Sequence, residues 1–230
     1  MSINASFFTM LQITDSIFPI GSYTQSNGLE TYVQKGIVKD RETADEYLRS
    51  VLVNSYMYSD FLAVKLAYEY SKDMDIGRLI ELDETLCAVK APREMKDGSS
   101  RLCGRFLKLV TKFSSDELIY KYKTAIENGQ CYGQHSIAYG SFSAVSNIAK
   151  EDAIKAYMYN TTSAIINNCA KLIPLGQVDG QTLLFGMQNL LQEIFINLDS
   201  LDVYDLGRCC AGFDIRAMQH EDLYSRLYMS

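Results

Sequence analysis

Tryptophan is absent from this 230-residue chain, proline occurs three times and histidine only twice. Two histidines, His135 and His220, leave little from which to build a histidine-based metal centre or a catalytic triad. His220-Glu221 opens like the zinc-protease helix motif, but the fourth residue on is Tyr224, so the second ligand is missing. There is no GxxxxGK[ST] phosphate loop, because Gly98 and Gly104 have the wrong spacing and no lysine follows. There is no GxSxG nucleophile elbow either. Cys87, Cys103, Cys131, Cys169, Cys209 and Cys210 form no CxxC pair, and only the last two are neighbours. Adjacent helical residues point about 100° apart, which makes Cys209 and Cys210 a poor chelate and a strained disulfide. Reduced, mostly buried thiols are expected.

Positive charge is also short. No run of lysine or arginine offers a phosphate-tracking stripe, and the net charge is −6, so nucleic acid is not an expected partner. No segment approaches the roughly 18 uninterrupted apolar residues of a membrane span. The N-terminus has no basic region, and Thr9 and Gln12 break Phe7–Ile13, which does not fit a secretory signal. A cytoplasmic protein is expected. The apolar fraction of 47% and charged fraction of 22% suit a folded core.

What the chain does have is helical spacing. Pro174 to Leu198 reads as its organising stretch: a polar, glycine-bearing loop over 174–182, then one helix to Leu198. Leu183, Met187, Leu190, Leu191, Ile194, Phe195 and Leu198 mark one face of that helix, and Leu184 and Phe185 a second, which predicts burial on more than one side. Asp179 or Thr182 is the expected N-cap. Before it, helices are predicted over 5–14, over 24–35 with Gly36 as the stop, and from Asp40 or the Thr43-x-x-Glu46 capping pattern. Further helices are predicted over 61–70, over 75–89 with Asp75 as cap, around Leu102–Val110, and from the Ser114-x-x-Glu117 pattern to Asn128-Gly129. Small residues at helical spacing in 131–148 predict close approach of two helices. Helices over 151–170 and 202–210 complete the reading. No stretch alternates long enough for a sheet. The expected fold is all-α, about ten helices in a single domain over 1–230.

The C-terminus, 214–230, mixes Arg216, Arg226, Tyr224 and Tyr228 with Ile215, Met218, Leu223 and Leu227. Arginine and tyrosine dominate protein–protein hot spots, so a helix to about Asp222 and an extended end would present a partner-docking segment. The plainer reading is a terminal helix docked on its own core. His135 reads as a polar helix-start or interface residue, and Cys209 and Cys210 as core or interface thiols. Asp15, Glu30, Asp179 and Glu221 offer carboxylates whose pairing the spacing does not settle.

Three blocks give the chain its resemblance to a family. They are Leu11 to Glu30, with Asp15, Pro19, Gly21, Ser22, Ser26 and Gly28; Pro174 to Gln181, with Gly176, Gln177 and Gly180; and Asp214 to Ser230, with Arg216, His220, Glu221, Tyr224 and Arg226. With Arg93-Glu94 and the region around His135, they resemble the urease accessory protein UreF family. Gln25 is a departure, standing where many members have histidine. The resemblance implies an all-helical, homodimeric, non-catalytic protein that bridges the accessory protein UreD/UreH to the GTPase UreG. It implies modulation of GTP hydrolysis while nickel is loaded into the urease apoprotein. No cofactor is implied, only nickel in transit, with His220, Cys209 and Cys210 as transient contacts. The named residues of the three blocks become candidate partner-binding residues. The alternative is a helical metal carrier or enzyme using His135, His220 and the cysteines.

Overall fold

The computed structural model describes residues 5–22, 25–208 and 211–229, and its regular elements are all helices. Twelve α-helices follow in order: α1 Ala5–Thr14, α2 Leu29–Gln34, α3 Arg41–Asn54, α4 Asp60–Lys72, α5 Ile76–Val89, α6 Arg93–Val110, α7 Glu117–Glu127, α8 His135–Val145, α9 Lys150–Leu172, α10 Gln177–Gly186, α11 Gln188–Leu198 and α12 Ala211–Gln219. Short 3-10 turns occupy Tyr56–Tyr58, Val203–Asp205 and His220–Asp222. The all-α expectation holds.

The centre of the molecule is the pair α4 and α8, the helices in closest mutual contact. Every residue from Asp60 to Tyr68 on α4, and from Ser136 to Ala144 on α8, is buried. Small side chains make this approach feasible, as the composition of 131–148 predicts. At Gly140 even one added carbon would lie 2.6 Å from the carbonyl oxygen of Val64 and 3.1 Å from Ala67 Cβ. Helices α5, α6 and α7 cover one flank of the pair. Along the other runs α9, which in turn carries α1, α2, α3, α10 and α11, while α12 packs on α2 and α6.

Two charged side chains inside this apolar core hold irregular stretches of backbone in place. Lys65 on α4 donates to the carbonyls of Leu198, Asp199 and Leu201 at 2.9, 3.1 and 2.8 Å, closing the C-terminus of α11. Asp83 on α5 is fully buried and accepts from the backbone N–H groups of Tyr132, Gly133 and Gln134 at 2.8, 3.0 and 2.7 Å, and from the Tyr122 hydroxyl at 2.5 Å. It thereby fixes the loop that launches α8. Burying these polar groups is tolerable because each is saturated with partners.

Several expected boundaries are corrected. The 174–198 stretch is not the centre of the molecule: it splits at Gly186-Met187 into α10 and α11, and although Leu183, Leu184, Met187, Ile194 and Leu198 are buried in the core, Phe185 and Ile196 are exposed. Its predicted loop is largely helix, since α10 begins at Gln177 directly after Gly176, and neither Asp179 nor Thr182 caps it. Pro174 halts α9 but does not bar a new helix three residues on. The predicted 24–35 helix is only α2, because Asn27 and Gly28 have φ of 51° and 87°, outside helical geometry. Asp40 and Thr43 form the reciprocal cap of α3, rather than Thr43 and Glu46. Asp116, not Ser114, caps α7. Over 202–208 the chain makes one 3-10 turn, and Gly207 at φ 82° ends it; Cys209 and Cys210 lie outside the described residues.

Substituting Gly140→Ala should destabilise the fold by about 1–3 kcal/mol through overpacking against Val64. Gly104→Ala on exposed α6, where an added carbon meets nothing within 4 Å, should stabilise it by up to about 1 kcal/mol. Urea denaturation of the two variants checks the opposite signs.

Candidate functional site: a carboxylate-held C-terminal segment

The first and third blocks of the sequence meet in space. Gly28 sits so close to α12 that a side chain there would lie 3.0 Å from Ala217 Cα, and its left-handed φ independently favours glycine. The start of α12 is fixed by Phe213, whose ring lies 6.0 Å from those of both Tyr32 and Tyr47. Beyond α12, two carboxylates take over. Glu30 on α2 is buried and accepts from the backbone N–H of Leu227 at 2.7 Å and of Tyr228 at 3.1 Å. The His220 ring is fully buried between the two acids, Nε2 3.1 Å from Glu30 and Nδ1 2.6 Å from Glu94. Glu94 also binds Arg226 at 2.9 Å, Arg93 binds Glu221 at 2.7 Å, and the Gln34 amide donates to the Ser225 carbonyl at 2.7 Å.

These contacts hold the backbone of 220–228 while its apolar side chains point outward. Tyr224 is fully exposed, Leu227 is 65% exposed and Met229 is 55% exposed, whereas Leu223 is half-buried and Tyr228 turns in, with Lys171 of α9 6.0 Å over its ring. Ile215 and Met218 on α12 add exposed apolar area. Burial of charge accompanied by exposure of apolar groups is the reverse of ordinary core economics, and it marks this surface out.

The remaining candidates have distinct places. Asp15 and Pro19 are exposed, Gly21 and Ser22 half-buried, and Ser26 buried. Pro174, Gly176 and Gln177 are exposed at the junction of α9 and α10, while Gly180 is buried against Ile166. Arg216 is half-buried and bonds Gln219. The four carboxylates singled out do not gather: Asp15 caps the Ile17 N–H, Asp179 pairs with Arg41 at 3.4 Å, and Glu30 and Glu221 take the partners given above. Glu94 is the member of this cluster that single-site reasoning passed over, although the Arg93-Glu94 dipeptide is a signal for it. Among the described residues no three His, Cys, Asp or Glu side chains are placed to hold a metal ion. Both His220 nitrogens are taken by carboxylates. Burial pushes the Cys131 and Cys169 thiols up to about 12, leaving them unreactive at neutral pH. No described helix is long and apolar enough to cross a membrane.

His135 occupies a separate polar cavity of about 100 Å³, lined also by Asp60, Lys90, Tyr157 and Asn168. Its Nε2 is enclosed without a hydrogen-bond partner, and its ring stacks among Phe106, Tyr139 and Tyr157. Desolvation drives its pKa down from 6.5 to about 4, with the Asp60 charge opposing and the Lys90 charge assisting.

The polar clusters of this all-helical protein fix its own backbone, and sequence comparison supplies the family. The UreF family model matches residues 38–188. Relatives named urease accessory protein UreF include one from Actinobacillus pleuropneumoniae serotype 3, 36% identical over 96% of this chain and 97% of its own length. One from Haemophilus influenzae Rd is 37% identical over 96% and 94%, and one from Bacillus sp. TB-90 is 33% identical over 96% and 98%. The chain belongs to the UreF family of urease accessory proteins.

A histidine that resists protonation when folded supports stability fully above 6.5 and loses that support as the pH falls toward 4. The loss is on the order of 3 kcal/mol. Denaturation midpoints of wild type and His135→Gln at pH 7 and pH 4.5 should therefore show the wild type losing more stability on acidification.

Proposed function

We propose that this protein is a non-catalytic adaptor of urease maturation, joining the accessory protein UreD/UreH to the GTPase UreG while nickel is delivered to the urease apoprotein. It works in the cytoplasm as a homodimer, and it modulates GTP hydrolysis by UreG without binding nucleotide itself. Nickel is cargo in transit, not a resident cofactor. Family membership supports the urease role, and the observation that carries the adaptor reading is the outward display of Tyr224, Leu227 and Met229 on a backbone held from beneath. Exposed aromatic and aliphatic anchors beside an arginine, Arg226, are the ingredients of a binding hot spot. The segment is assigned to UreD/UreH. Asp15, Pro19, Pro174, Gly176 and Gln177, exposed or at loop junctions, are left for UreG or the second protomer. Ser26, Gly28, Glu30 and His220 act from inside, by shaping the surface.

Truncation at Phe213 is a poor test of this reading, since it strips Glu30 and Glu94 of their partners and strands buried charge. The double substitution Tyr224→Ala, Leu227→Ala removes only exposed side chains. Co-purification with UreD/UreH should fall at least about 100-fold in apparent affinity, as loss of two hot-spot side chains does, with the melting temperature unchanged. Undiminished recovery of UreD/UreH would move the docking site elsewhere.

A further inference from the structure

Lysine and arginine form no run in the sequence, but α6 gathers them at helical spacing. Arg101, Arg105 and Lys108, with Lys112 in the turn that closes the helix, are all exposed and stand four, three and four residues apart. At about 100° per residue, the three on the helix fall within about 60° of one another. Among the described residues none of the four makes an ion pair. Arg105 Nη1 donates to the Ile20 carbonyl at 2.9 Å. The helix dipole accounts for cations at the C-terminal end, Lys108 and Lys112, but not for Arg101 two turns earlier. On a chain of net charge −6, this row is a local positive field against an acidic background.

A gap interrupts the row. Gly104 lies between Arg101 and Lys108, three residues from one and four from the other. It is exposed in the helix interior, where glycine is less favourable than alanine, and an added carbon there would meet nothing within 4 Å. Gly98 on the same helix is different, since a side chain there would run into Gln25 at 2.5 Å. Packing within the chain explains Gly98 and leaves Gly104 unexplained. A bare position amid long side chains lets another backbone approach closely. We propose that this face of α6 is a docking seat for an acidic helix of a partner protein. Carboxylates of that helix, at the same spacing, pair with Arg101, Arg105 and Lys108 while its backbone crosses at Gly104. Charge complementarity and the helical repeat of the row select this occupant: nucleic acid would approach a chain of net negative charge, and a lipid surface has no use for the gap. The seat lies two turns along α6 from Glu94, and it rests on the adaptor reading only for the proteins used to test it.

The test passes UreG, UreD/UreH and urease apoprotein separately over immobilised full-length protein, at low and at high salt. For the protein that carries the acidic helix, the double substitution Arg101→Glu, Lys108→Glu should lower the association rate about 10-fold at low salt and flatten its salt dependence. Gly104→Leu leaves every charge in place and should raise the dissociation rate of the same protein about 10-fold, because the gap is filled. Its melting temperature should be no lower than that of wild type, since leucine is the better helix former. If all three proteins bind the charge-reversed variant with unchanged rates and salt dependence, the seat is overturned. If the charge-reversed variant is impaired but Gly104→Leu binds like wild type, no helix crosses there and the seat is overturned as well. Uptake of single-stranded RNA or phosphatidylserine vesicles that depends on Arg101 and Lys108, with no effect of either variant on the three proteins, gives the face to a different partner. Wild type that binds none of the three proteins defeats the adaptor reading and this proposal with it.

Discussion

The Glu30 carboxylate is withdrawn from water, and two backbone N–H groups and the His220 ring from the far end of the chain converge on it. A lone buried carboxylate is strongly unfavourable, whereas one bonded to two backbone N–H groups and an imidazole is tolerated. The interdependence runs both ways. Without the segment 220–228 the Glu30 side chain on α2 loses its partners, and without Glu30 that segment keeps the Glu94 contact to His220, the buried Tyr228 and the more exposed ion pairs. Surface pairs such as Arg93–Glu221 add at most about 1 kcal/mol, so the buried acid sets the geometry and its neighbours refine it.

The same economy recurs through the molecule. Lys65 gathers the carbonyls ending α11, and Asp83 gathers the amides ahead of α8. In each case one charged side chain on a buried helix fixes an irregular stretch that apolar packing alone leaves unspecified. Around these pins, the α4–α8 contact supplies the hydrophobic stabilisation, with Gly140 allowing the two backbones to approach. A close-packed centre with ionic latches at its periphery suits the adaptor role proposed above.

Local chemistry was readable from the sequence, and distance was not. Asp75 as the cap of α5, Gly36 and Gly129 as stops, and the small residues of α8 all follow from backbone rules acting within a few residues. The apolar spacing of 183–198 was real but misplaced the centre, because one-sided periodicity marks a covering helix and a helix buried all round, like α4, shows none. Lys65 stands alone in an apolar run and Asp83 lies between Glu81 and Glu84, and nothing in either neighbourhood names the carbonyls and amides they meet. The link from Glu30 to His220 spans 190 residues and leaves no periodic trace. The three family blocks flagged both ends of that link without indicating that they touch.

The account stands on the claim that residues 220–228 are ordered by carboxylates in the free protein, before any partner arrives. Amide hydrogen exchange at Leu227 and Tyr228 in the isolated chain examines it at the bonds concerned. Exchange slowed at least about 100-fold relative to unstructured peptide, at both amides and together, is the result predicted for groups bonded to a buried acid. Exchange at the unstructured rate would contradict it, and would make the ordered segment a product of binding.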